Sequence, residues 1–333
     1  MNILVTGAGG LVGGRFVRVA LEQGWQVRAC GRQLGALEAF KRLGLQCQEG
    51  DLADADFARR ACAGIDTVVH AAGPADAWAA EPTLHRDAVI ATENIVEACL
   101  AEQVQRMVYV STAEVYLSGR LRDAVREEQI PARQLSPYGR LRFQAEQCVF
   151  GAEAFGLQVI ALRPTRVVGA GAPWLERLLR VHAKGRLEII GNGLNRVDFT
   201  SADNLCLALL LAVRAPQSAL GRAYNISNGV PVPLWDAISY LARQLQMPRV
   251  GRYQPRVGAW SKAAMAELAC RVWPGQRRPL INRADVSWLS DDFTVDTHRA
   301  RQALGYTAPV SLWAALDEYA QSHKRLDTSG KYR

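Results

Sequence analysis

Short apolar runs alternate with longer helical patterns through the first half of the chain. The runs predict strands at 3–5, 27–30, 45–48, 67–70, 107–110 and 159–162, and the longest helical patterns lie near 83–103 and 137–155. Apolar runs of this length fit strands that are buried on both faces of a parallel sheet. The alternation therefore predicts an α/β fold in which helices cover a doubly wound parallel sheet.

A glycine-rich turn separates the first predicted strand from the first helix. Gly7, Gly10 and Gly13 follow the strand, apolar residues recur at helical spacing over 16–21, and Gly24 ends the helix. Such glycines allow a tight turn and let the backbone approach a pyrophosphate, to which the helix N-terminus offers unpaired N–H groups. We interpret the segment as the dinucleotide-binding turn of a Rossmann fold. The alternative is a plain strand–turn–helix corner.

The sequence changes in character after Pro164. Glycine and proline punctuate the chain at 169–173, 191–193, 229–233 and 275–279, with short helical patterns between them. Open α/β sheets bind ligands outside the carboxyl ends of their strands, so we predict a smaller lobe over those ends. The predicted domains are a dinucleotide-binding domain at 1–165, a mostly substrate-binding lobe at 166–325 and a tail at 326–333.

Composition narrows the class of protein and its partners. The 333 residues are 49% hydrophobic and 22% charged, which is enough to bury a sizeable core. The net charge of +8 comes from scattered arginines, without the basic stripe typical of nucleic-acid binding. The seven cysteines stand singly, with no Cys-x-x-Cys spacing. We expect a cytoplasmic protein with a small-molecule substrate and no nucleic-acid partner, bound metal, signal peptide or transmembrane segment.

Two segments carry candidate catalytic groups. Thr112 follows the fifth predicted strand, and Tyr138 and Arg142 share one face of a helix that begins near 137. A cation beside a tyrosine lowers the tyrosine pKa from its usual value of about 10. Such a tyrosine exchanges a proton with a substrate oxygen, and the Thr112 hydroxyl can hold that oxygen. Each motif alone is more often a solvated helix face or a strand end, but their order behind the glycine turn favours catalysis.

Short motifs recur along the chain from about residue 2 to about 319. They are TGAGGLVG at 6–13, DL at 51–52, HAAG at 70–73, STAEVY at 111–116, SPY at 136–138, LRP at 162–164, GNG at 191–193, RVDF at 196–199, DN at 203–204, YNISNG at 224–229 and LGY at 304–306. With them the chain resembles the extended short-chain dehydrogenases/reductases. NRVDF at 195–199, ISNGVP at 226–231 and PLINR at 279–283 most resemble the branch with 3β-hydroxysteroid dehydrogenases and bacterial β-keto-acid reductases.

The resemblance implies which residues hold the cofactor and which are catalytic. It places Asp51 at the adenine amino group, residues 71–73 at the nicotinamide ribose and Pro164 against the nicotinamide. The implied cofactor set is Gly7, Gly10, Leu11, Val12, Gly13, Asp51, Leu52, Ala71, Ala72, Gly73, Ser111, Tyr138, Arg142 and Pro164. The implied catalytic residues are Thr112, Tyr138 and Arg142, of which Arg142 would hold the pKa of Tyr138 down.

Two positions depart from the usual pattern of that family. Arg142 stands in place of the lysine of Tyr-x-x-x-Lys, and Ala88 stands where the family usually has asparagine. Arginine keeps the charge and can hydrogen-bond a ribose hydroxyl, but it is not an equivalent proton carrier. The departures leave open a dinucleotide-binding sensor or scaffold with weak or no catalysis.

The end of the second predicted strand indicates the cofactor. NAD-preferring sites have an acidic residue there, which binds the ribose hydroxyls. This chain has Gly31 followed by Arg32, so no carboxylate repels a 2′-phosphate and an arginine can bind it. We therefore favour NADP, with NAD as a possible cofactor. The alternative for Arg32 is a solvated loop charge.

The leading interpretation is an NAD(P)-dependent oxidoreductase that interconverts a ketone and a secondary alcohol on a mostly apolar substrate. The alternative is a nucleotide-sugar epimerase or dehydratase, whose substrate phosphates would need basic residues in the smaller lobe. The candidates for that role are Arg177, Arg180, Arg196, Arg277 and Arg278.

Two further patterns concern surfaces. The helices near 83–103 and 137–155 are rich in apolar positions, and in the resembled family the matching helices pair with a second subunit. We therefore expect a homodimer. The segment 257–273 carries Val257, Trp260, Ala264, Leu268 and Val272 close to helical spacing. A helix that packs with this stripe on its own domain or on a dimer mate is favoured over a substrate lid or a membrane-surface helix.

Overall fold

A parallel sheet of seven strands lies at the centre of the molecule, which is described by a computed structural model over residues 1–32, 34–74, 76–118, 122–272 and 281–328. The strands are β1 (Asn2–Thr6), β2 (Gln26–Gly31), β3 (Gln46–Glu49), β4 (Thr67–His70), β5 (Arg106–Val110), β6 (Arg122–Val125), β7 (Gln158–Pro164), β8 (Arg166–Val168), β9 (Ile189–Ile190), β10 (Arg196–Val197), β11 (Phe199–Ser201), β12 (Arg222–Ile226), β13 (Val232–Pro233), β14 (Tyr253–Gln254) and β15 (Phe293–Val295). The central sheet has the order β12-β7-β5-β4-β1-β2-β3.

Helices cover both faces of this sheet. They are α1 (Leu11–Glu22), α2 (Leu34–Arg42), α3 (Ala55–Cys62), α4 (Glu81–His85), α5 (Ala91–Ala101), α6 (Pro137–Gly151), α7 (Pro173–Ala183), α8 (Ala202–Val213), α9 (Leu234–Gln244), α10 (Arg256–Val272), α11 (Arg283–Ser290), α12 (His298–Leu304) and α13 (Leu312–Thr328). A π-helical turn at Arg86–Ile90 joins α4 to α5, and a 3₁₀ turn at Ala113–Tyr116 follows β5.

The alternation of side chains along β1 shows why the sheet is buried on both faces. Ile3 and Val5 pack with Phe16 of α1 in one core layer. Leu4 points to the opposite layer, where it packs with Ile95 of α5. All six predicted strands form within two residues of their expected ends, and the predicted doubly wound parallel sheet is confirmed.

The seventh strand of the sheet comes from the second half of the chain. β12 pairs in parallel with β7, and α8 packs beside α1 on the same face. Conversely, β6 precedes the predicted boundary at 165 but pairs with β15 in a second sheet of order β13-β10-β15-β6. Each half of the chain therefore contributes one strand to the sheet that is formed mainly by the other half. Residues 166–325 supply the outer strand of the dinucleotide sheet as well as most of the smaller lobe.

The helix at 256–272 forms as expected, but it does not bury the stripe that the sequence suggested. Val257 is 77% exposed and Leu268 is 62% exposed, whereas Ala259 and Ala263 face the core. At those two positions the stripe does not pack on its own domain, because small alanines allow the opposite face to approach α11 closely. A contact of the stripe with a dimer mate stays a prediction. Trp273, Arg277 and Arg278 lie outside the described residues. None of the described helices is both long and apolar enough to cross a membrane.

The apolar residues of α5 and α6 are largely used within the chain itself. Ile95 and Val96 of α5, and Leu141 and Val149 of α6, are buried in the core. A smaller set keeps partial exposure, namely Leu100, Phe143, Cys148 and Phe150. Only these half-buried side chains remain for a contact with a second subunit.

Candidate active site

One cavity of about 1130 Å³ runs across the carboxyl ends of β1, β2, β4, β5 and β7. Its lining contains every cofactor and catalytic residue that the sequence suggested: Gly7, Gly10, Leu11, Val12, Gly13, Arg32, Asp51, Leu52, Ala71, Ala72, Gly73, Ser111, Thr112, Tyr138, Arg142 and Pro164. These residues come from nine separate stretches of the chain. The structure therefore brings them together, while the role of each residue stays a prediction.

The glycine turn has the form that a phosphate-binding loop requires. Gly7 adopts φ +65°, and a Cβ there would lie 2.8 Å from the backbone of Ala72. A Cβ on Gly13 would lie 2.3 Å from the carbonyl oxygen of Gly7, so the start of α1 approaches the turn too closely for any side chain. Gly10 caps α1 without a side-chain hydrogen bond, and the first turn carries no acid. The open N–H groups and the helix dipole suit a pyrophosphate.

A buried hydroxyl–imidazole network holds the segment that follows β4. The Nδ1 atom of His70 lies 2.8 Å from the Thr6 hydroxyl, and its Nε2 lies 3.1 Å from the Thr92 hydroxyl. Thr92 donates to the Ala88 carbonyl and Thr6 accepts from the Ala72 N–H, so Nε2 of His70 carries the proton. Burial, assisted by the Arg142 charge, lowers the pKa of His70 to about 3. The neutral ring therefore positions residues 71–73 at all ordinary pH values.

A chain of alternating charges lies in the part of the cavity lined by Arg32, Asp51 and Asp87, which we call the adenosine end because the sequence predicts the adenosine there. Arg32 pairs with Asp87 at 2.7 Å, and Arg86 bridges Asp87 at 3.2 Å and Asp51 at closer range. The pKa of Asp51 is lowered: burial opposes this shift, but the Ala53 N–H and Arg86 outweigh it. Gly31 leaves the end of β2 open, since a Cβ there would meet nothing closer than 3.8 Å. Arg86 was not singled out from the sequence.

The two hydroxyls after β5 differ in their hydrogen bonds. Thr112 accepts the N–H of Glu114 at 3.1 Å and so caps the 3₁₀ turn, which leaves its own proton free for another acceptor. The Ser111 Oγ is buried and has no hydrogen-bond partner within the described structure. Both residues line the cavity.

Tyr138 is placed as the sequence predicted, but its pKa shifts in the opposite direction. It is the second residue of α6, whose N-cap Ser136 accepts the N–H of Gly139. Burial raises the pKa of Tyr138; the positive charge of Arg142 opposes that shift, and the negative charge of Glu114 adds to it. The expected fall below the usual value is wrong, because loss of hydration of the tyrosinate outweighs one nearby cation.

The Arg142 guanidinium is directed mainly at backbone carbonyls. It donates a short hydrogen bond to the Val110 carbonyl, lies 3.5 Å from the Ala72 carbonyl and stacks 4.8 Å over the Tyr109 ring. A Cβ on Gly73 would lie 2.7 Å from its Nη1 atom, so the end of the arginine side chain would have to shift if residue 73 carried a side chain. The Nε atom of Arg142 has no hydrogen-bond partner within the described structure. Arg142 thus ties the ends of β4 and β5 together beside Tyr138.

The part of the cavity lined by Arg166, Trp174 and Trp288 combines tryptophans with ion pairs, and we call it the substrate end because the sequence predicts a substrate-binding lobe there. Arg166 lies 4.1 Å from the Trp288 ring and 5.7 Å from the Trp174 ring, and 3.4 Å from the Glu114 carboxylate. Burial raises the pKa of Glu114, an effect that Arg166 opposes. Trp288 was not singled out from the sequence. Trp288 lies far from Arg166 in the sequence, so no local sequence pattern links the two residues.

A second ion pair lies farther along the same wall. Arg177 lies 4.2 Å over the Trp78 ring and 3.6 Å from Asp285, which also accepts the Trp78 indole N–H. Arg180 and Lys184 line the cavity at the exposed end of α7. Of the suggested phosphate ligands, Arg177 and Arg180 therefore reach the cavity, Arg196 does not line it, and 277–278 lie outside the described residues. No cluster of three or more metal-ligating side chains occurs among the described residues.

A parallel sheet whose strand ends hold an open glycine turn and a tyrosine hydroxyl in one cavity defines an NAD(P)-dependent oxidoreductase. The model of the NAD dependent epimerase/dehydratase family matches residues 3–227, and the chain belongs to this family. The resemblance to extended short-chain dehydrogenases/reductases is thereby confirmed.

Individual relatives refine the comparison. The chain is 34% identical over 326 residues to a 2-alkyl-3-oxoalkanoate reductase of Stenotrophomonas maltophilia, which covers 95% of this chain and 97% of that protein. It is 27% identical to the human sterol-4-alpha-carboxylate 3-dehydrogenase, decarboxylating, over 97% and 88% of the two chains. The crystal structure of UDP-glucuronic acid 4-epimerase from Bacillus cereus with NAD superposes with a TM-score of 0.76 over 98% and 99% of the chains, at 22% identity. The last similarity concerns the fold alone.

Proposed function

We propose that this protein is an NADP-preferring ketoreductase whose substrate is an alkyl-branched 3-oxo acid, reduced to the 3-hydroxy acid. The observation that carries the proposal is the position of the Thr112 and Tyr138 hydroxyls in the cavity that also contains the glycine turn. The 2-alkyl-3-oxoalkanoate reductase supports it, because that relative matches nearly the full length of both chains. The tryptophans at the substrate end suit alkyl chains.

In the proposed reaction the reduced nicotinamide supplies a hydride to the ketone carbon. Tyr138 donates its phenolic proton to the carbonyl oxygen, so ketone, hydride and proton become the secondary alcohol. Thr112 donates a hydrogen bond to the same oxygen, because its lone pair already accepts the Glu114 N–H. The raised pKa of Tyr138 keeps the hydroxyl protonated at neutral pH, as a proton donor requires.

The preference for NADP rests on the adenosine end of the cavity. With Gly31 at the end of β2, no carboxylate stands where an acid would repel a 2′-phosphate. Arg32 is held at the cavity by Asp87 and its side chain is 44% exposed, so it can turn towards that phosphate. NAD is the alternative cofactor, and it is the cofactor bound in the similar epimerase structure.

A nucleotide-sugar substrate is the second candidate, and one observation favours it. Arg177 and Arg180 of α7, together with Lys184 directly after the helix, recur at helical spacing and line the cavity, as ligands of a diphosphate would. Binding of a UDP-sugar, measured by calorimetry, separates the two candidates. Tight binding together with no ketone reduction would favour the epimerase or dehydratase reading.

The test of the proposed function is NADPH oxidation with a panel of 3-oxo acids and simple ketones. We expect turnover in the wild type and a loss of at least about 10²-fold in Tyr138→Phe, the usual contribution of a positioned acid. NADPH affinity should be nearly unchanged in that variant, because the glycine turn lies elsewhere. Absence of turnover in the wild type across the whole panel would instead favour a dinucleotide-binding sensor.

We also propose a homodimer in the cytosol. The half-buried apolar side chains of α5 and α6, such as Leu100 and Phe143, support a contact between these helices of two subunits. The seven unpaired cysteines support a reducing compartment. Light scattering at micromolar concentration tests the dimer, and a monomer mass would exclude it.

A further inference from the structure

We propose that Arg166 is the specificity-determining residue that binds the carboxylate of the substrate, so that the enzyme takes the free acid rather than its ester or thioester. This inference rests on the proposed function. It adds a ligand for the acid group, which none of the cofactor or catalytic residues supplies.

The guanidinium of Arg166 is held rigidly beside the reacting centre. Arg166 follows Pro164 by two residues and begins β8, whose backbone pairs with β11. The side chain is only 11% exposed and lies near the rings of Trp288 and Trp174. Stacking against aromatic faces orients a planar guanidinium at little further entropic cost. Arg166 and Tyr138 line the same cavity, and the charge of Arg166 acts on the Tyr138 hydroxyl.

The hydrogen-bonding capacity of this group is largely unused. Arginine has five N–H donors, and the contact of Arg166 with Glu114 at 3.4 Å is longer than a charge-assisted hydrogen bond. The Nε atom of Arg166 and the indole Nε1 of Trp288 are both buried, without a hydrogen-bond partner in the described structure. Buried donors normally have partners. Two orphaned donors on stacked groups, one of them cationic, indicate an anionic acceptor at this point.

The surroundings favour a carboxylate with alkyl chains over a diphosphate. In a 3-oxo acid the carboxylate carbon is two bonds from the ketone carbon, which suits a cation that lines the same cavity as Tyr138 and Thr112. A small apolar recess of about 40 Å³ adjoins Arg166, and its wall includes Leu178, Leu187, Ile281 and Leu289. The recess suits an alkyl branch. The exposed Arg180 and Lys184 lie at the mouth, where they can attract an anion without holding it.

The experiment compares an acid with its ester. Because 3-oxo acids lose CO₂ spontaneously, the substrates are a 2-alkyl-3-hydroxyalkanoic acid and its methyl ester, each oxidised with NADP⁺. We expect Arg166→Gln to lower kcat/KM for the acid by about 100-fold, on the order of one buried charge-assisted interaction, and for the ester by less than about threefold. Arg166→Lys should recover part of the loss, since it restores the charge but not the paired N–H donors of the planar guanidinium. Arg59→Gln is the control, because Arg59 pairs with Glu102 at the surface away from the cavity lining; it should change the acid-to-ester ratio by less than about threefold.

Each outcome bears on one proposal. Equal use of acid and ester by the wild type, or an unchanged acid-to-ester ratio in Arg166→Gln, would overturn the carboxylate site and leave the ketoreductase function standing. A wild type that binds NADP⁺ but oxidises neither compound would refute the proposed function itself. Should Arg166→Gln fail to fold by thermal melting, two measurements still decide. These are the acid-to-ester ratio of Arg166→Lys, and inhibition of the wild type by a 2-alkyl fatty acid against its amide. We expect at least about tenfold stronger inhibition by the acid, and equal inhibition would overturn the inference.

Discussion

At the scale of single residues, the reactivity of Tyr138 results from opposing effects. Burial and the Glu114 charge favour the neutral phenol, while Arg142 favours the phenolate. A proton donor for ketone reduction needs the phenol, and a proton acceptor for alcohol oxidation needs the phenolate. The two directions of the reaction therefore depend oppositely on the Arg142 charge.

Substitution of Arg142 should move the pH dependence of alcohol oxidation. The rate rises with pH as Tyr138 loses its proton, and a cation lowers the pKa at which this occurs. Arg142→Ala should therefore shift the rising limb upward by on the order of one pH unit and reduce the rate. Arg142→Lys keeps the charge and should leave the limb in place, with equal or higher activity. Superimposable pH–rate profiles of wild type and Arg142→Ala would show that the charge does not act on Tyr138.

Substitution of Arg32 should affect one cofactor selectively. Arg32→Ala removes the cation proposed to bind the 2′-phosphate, so NADPH affinity should fall by about 10- to 100-fold while NADH affinity changes little. Fluorescence titration gives both dissociation constants. Arg59→Ala is the matched control, because Arg59 pairs with Glu102 at the surface away from the cavity lining. Equal affinities of the wild type for the two cofactors would rule out the NADP preference.

At the scale of elements, the candidate functional residues lie where regular structure ends. The glycine turn ends β1, Thr112 follows β5, Pro164 ends β7 and Tyr138 begins α6. Strand and helix interiors hold these ends rigidly, and the open N-terminus of α1 adds a partial positive charge. At the first of these ends, Gly13 at the start of α1 lies too close to Gly7 in the turn for a side chain to fit at position 13 without rearrangement.

Replacement of Gly13 should abolish cofactor binding. A Cβ at this position would lie 2.3 Å from the Gly7 carbonyl oxygen, so Gly13→Ala must push the start of α1 away from the turn. We expect no NADPH binding at micromolar concentration in a fluorescence titration. Gly151→Ala near the end of α6 is the control: a Cβ there meets nothing within 4 Å, and affinity should be unchanged. Normal NADPH affinity in Gly13→Ala would contradict the assigned phosphate site.

At the scale of the whole molecule, a buried ion pair links the layer of α6 to the central sheet. Glu146 of α6 and Arg163 of β7 are almost fully buried and joined by two hydrogen bonds, one of them 3.0 Å long. Arg163 also donates to the Tyr116 hydroxyl at 2.7 Å and the Glu127 carbonyl at 2.8 Å. The pKa of Arg163 is raised: burial opposes the shift, and Glu146 outweighs it.

Removal of one partner should therefore destabilise the fold. Glu146→Gln leaves a buried guanidinium without its counter-charge, at an expected cost of about 3–5 kcal/mol in the free energy of unfolding. Urea denaturation followed by circular dichroism measures it. Glu102→Gln removes the surface pair with Arg59 and should cost less than about 1 kcal/mol. A cost for Glu146→Gln as small as for the control would show that the pair carries little of the stability.

The sequence by itself determined six of the seven strands of the central sheet, the glycine turn and the order of the candidate catalytic motifs. Those features follow from local causes: apolar periodicity, glycine at close backbone contacts, and residues that stand beside strand ends. The candidate cofactor and catalytic residues could be named because each lies next to such a local pattern. For the same reason the family resemblance was readable from short motifs.

Tertiary structure alone decided what depends on surroundings. The direction of the Tyr138 pKa shift required knowledge of its burial, which spacing does not encode. β12 joined the dinucleotide sheet although it lies beyond residue 165, because strand pairing depends on chain crossings rather than local pattern. The contact of Arg166 with Trp288 joins residues 122 positions apart and has no local signal. Long-range contacts set the dielectric environment of a side chain, the pairing of strands and the walls of the pocket. These three factors determine which side chains can take part in binding or catalysis.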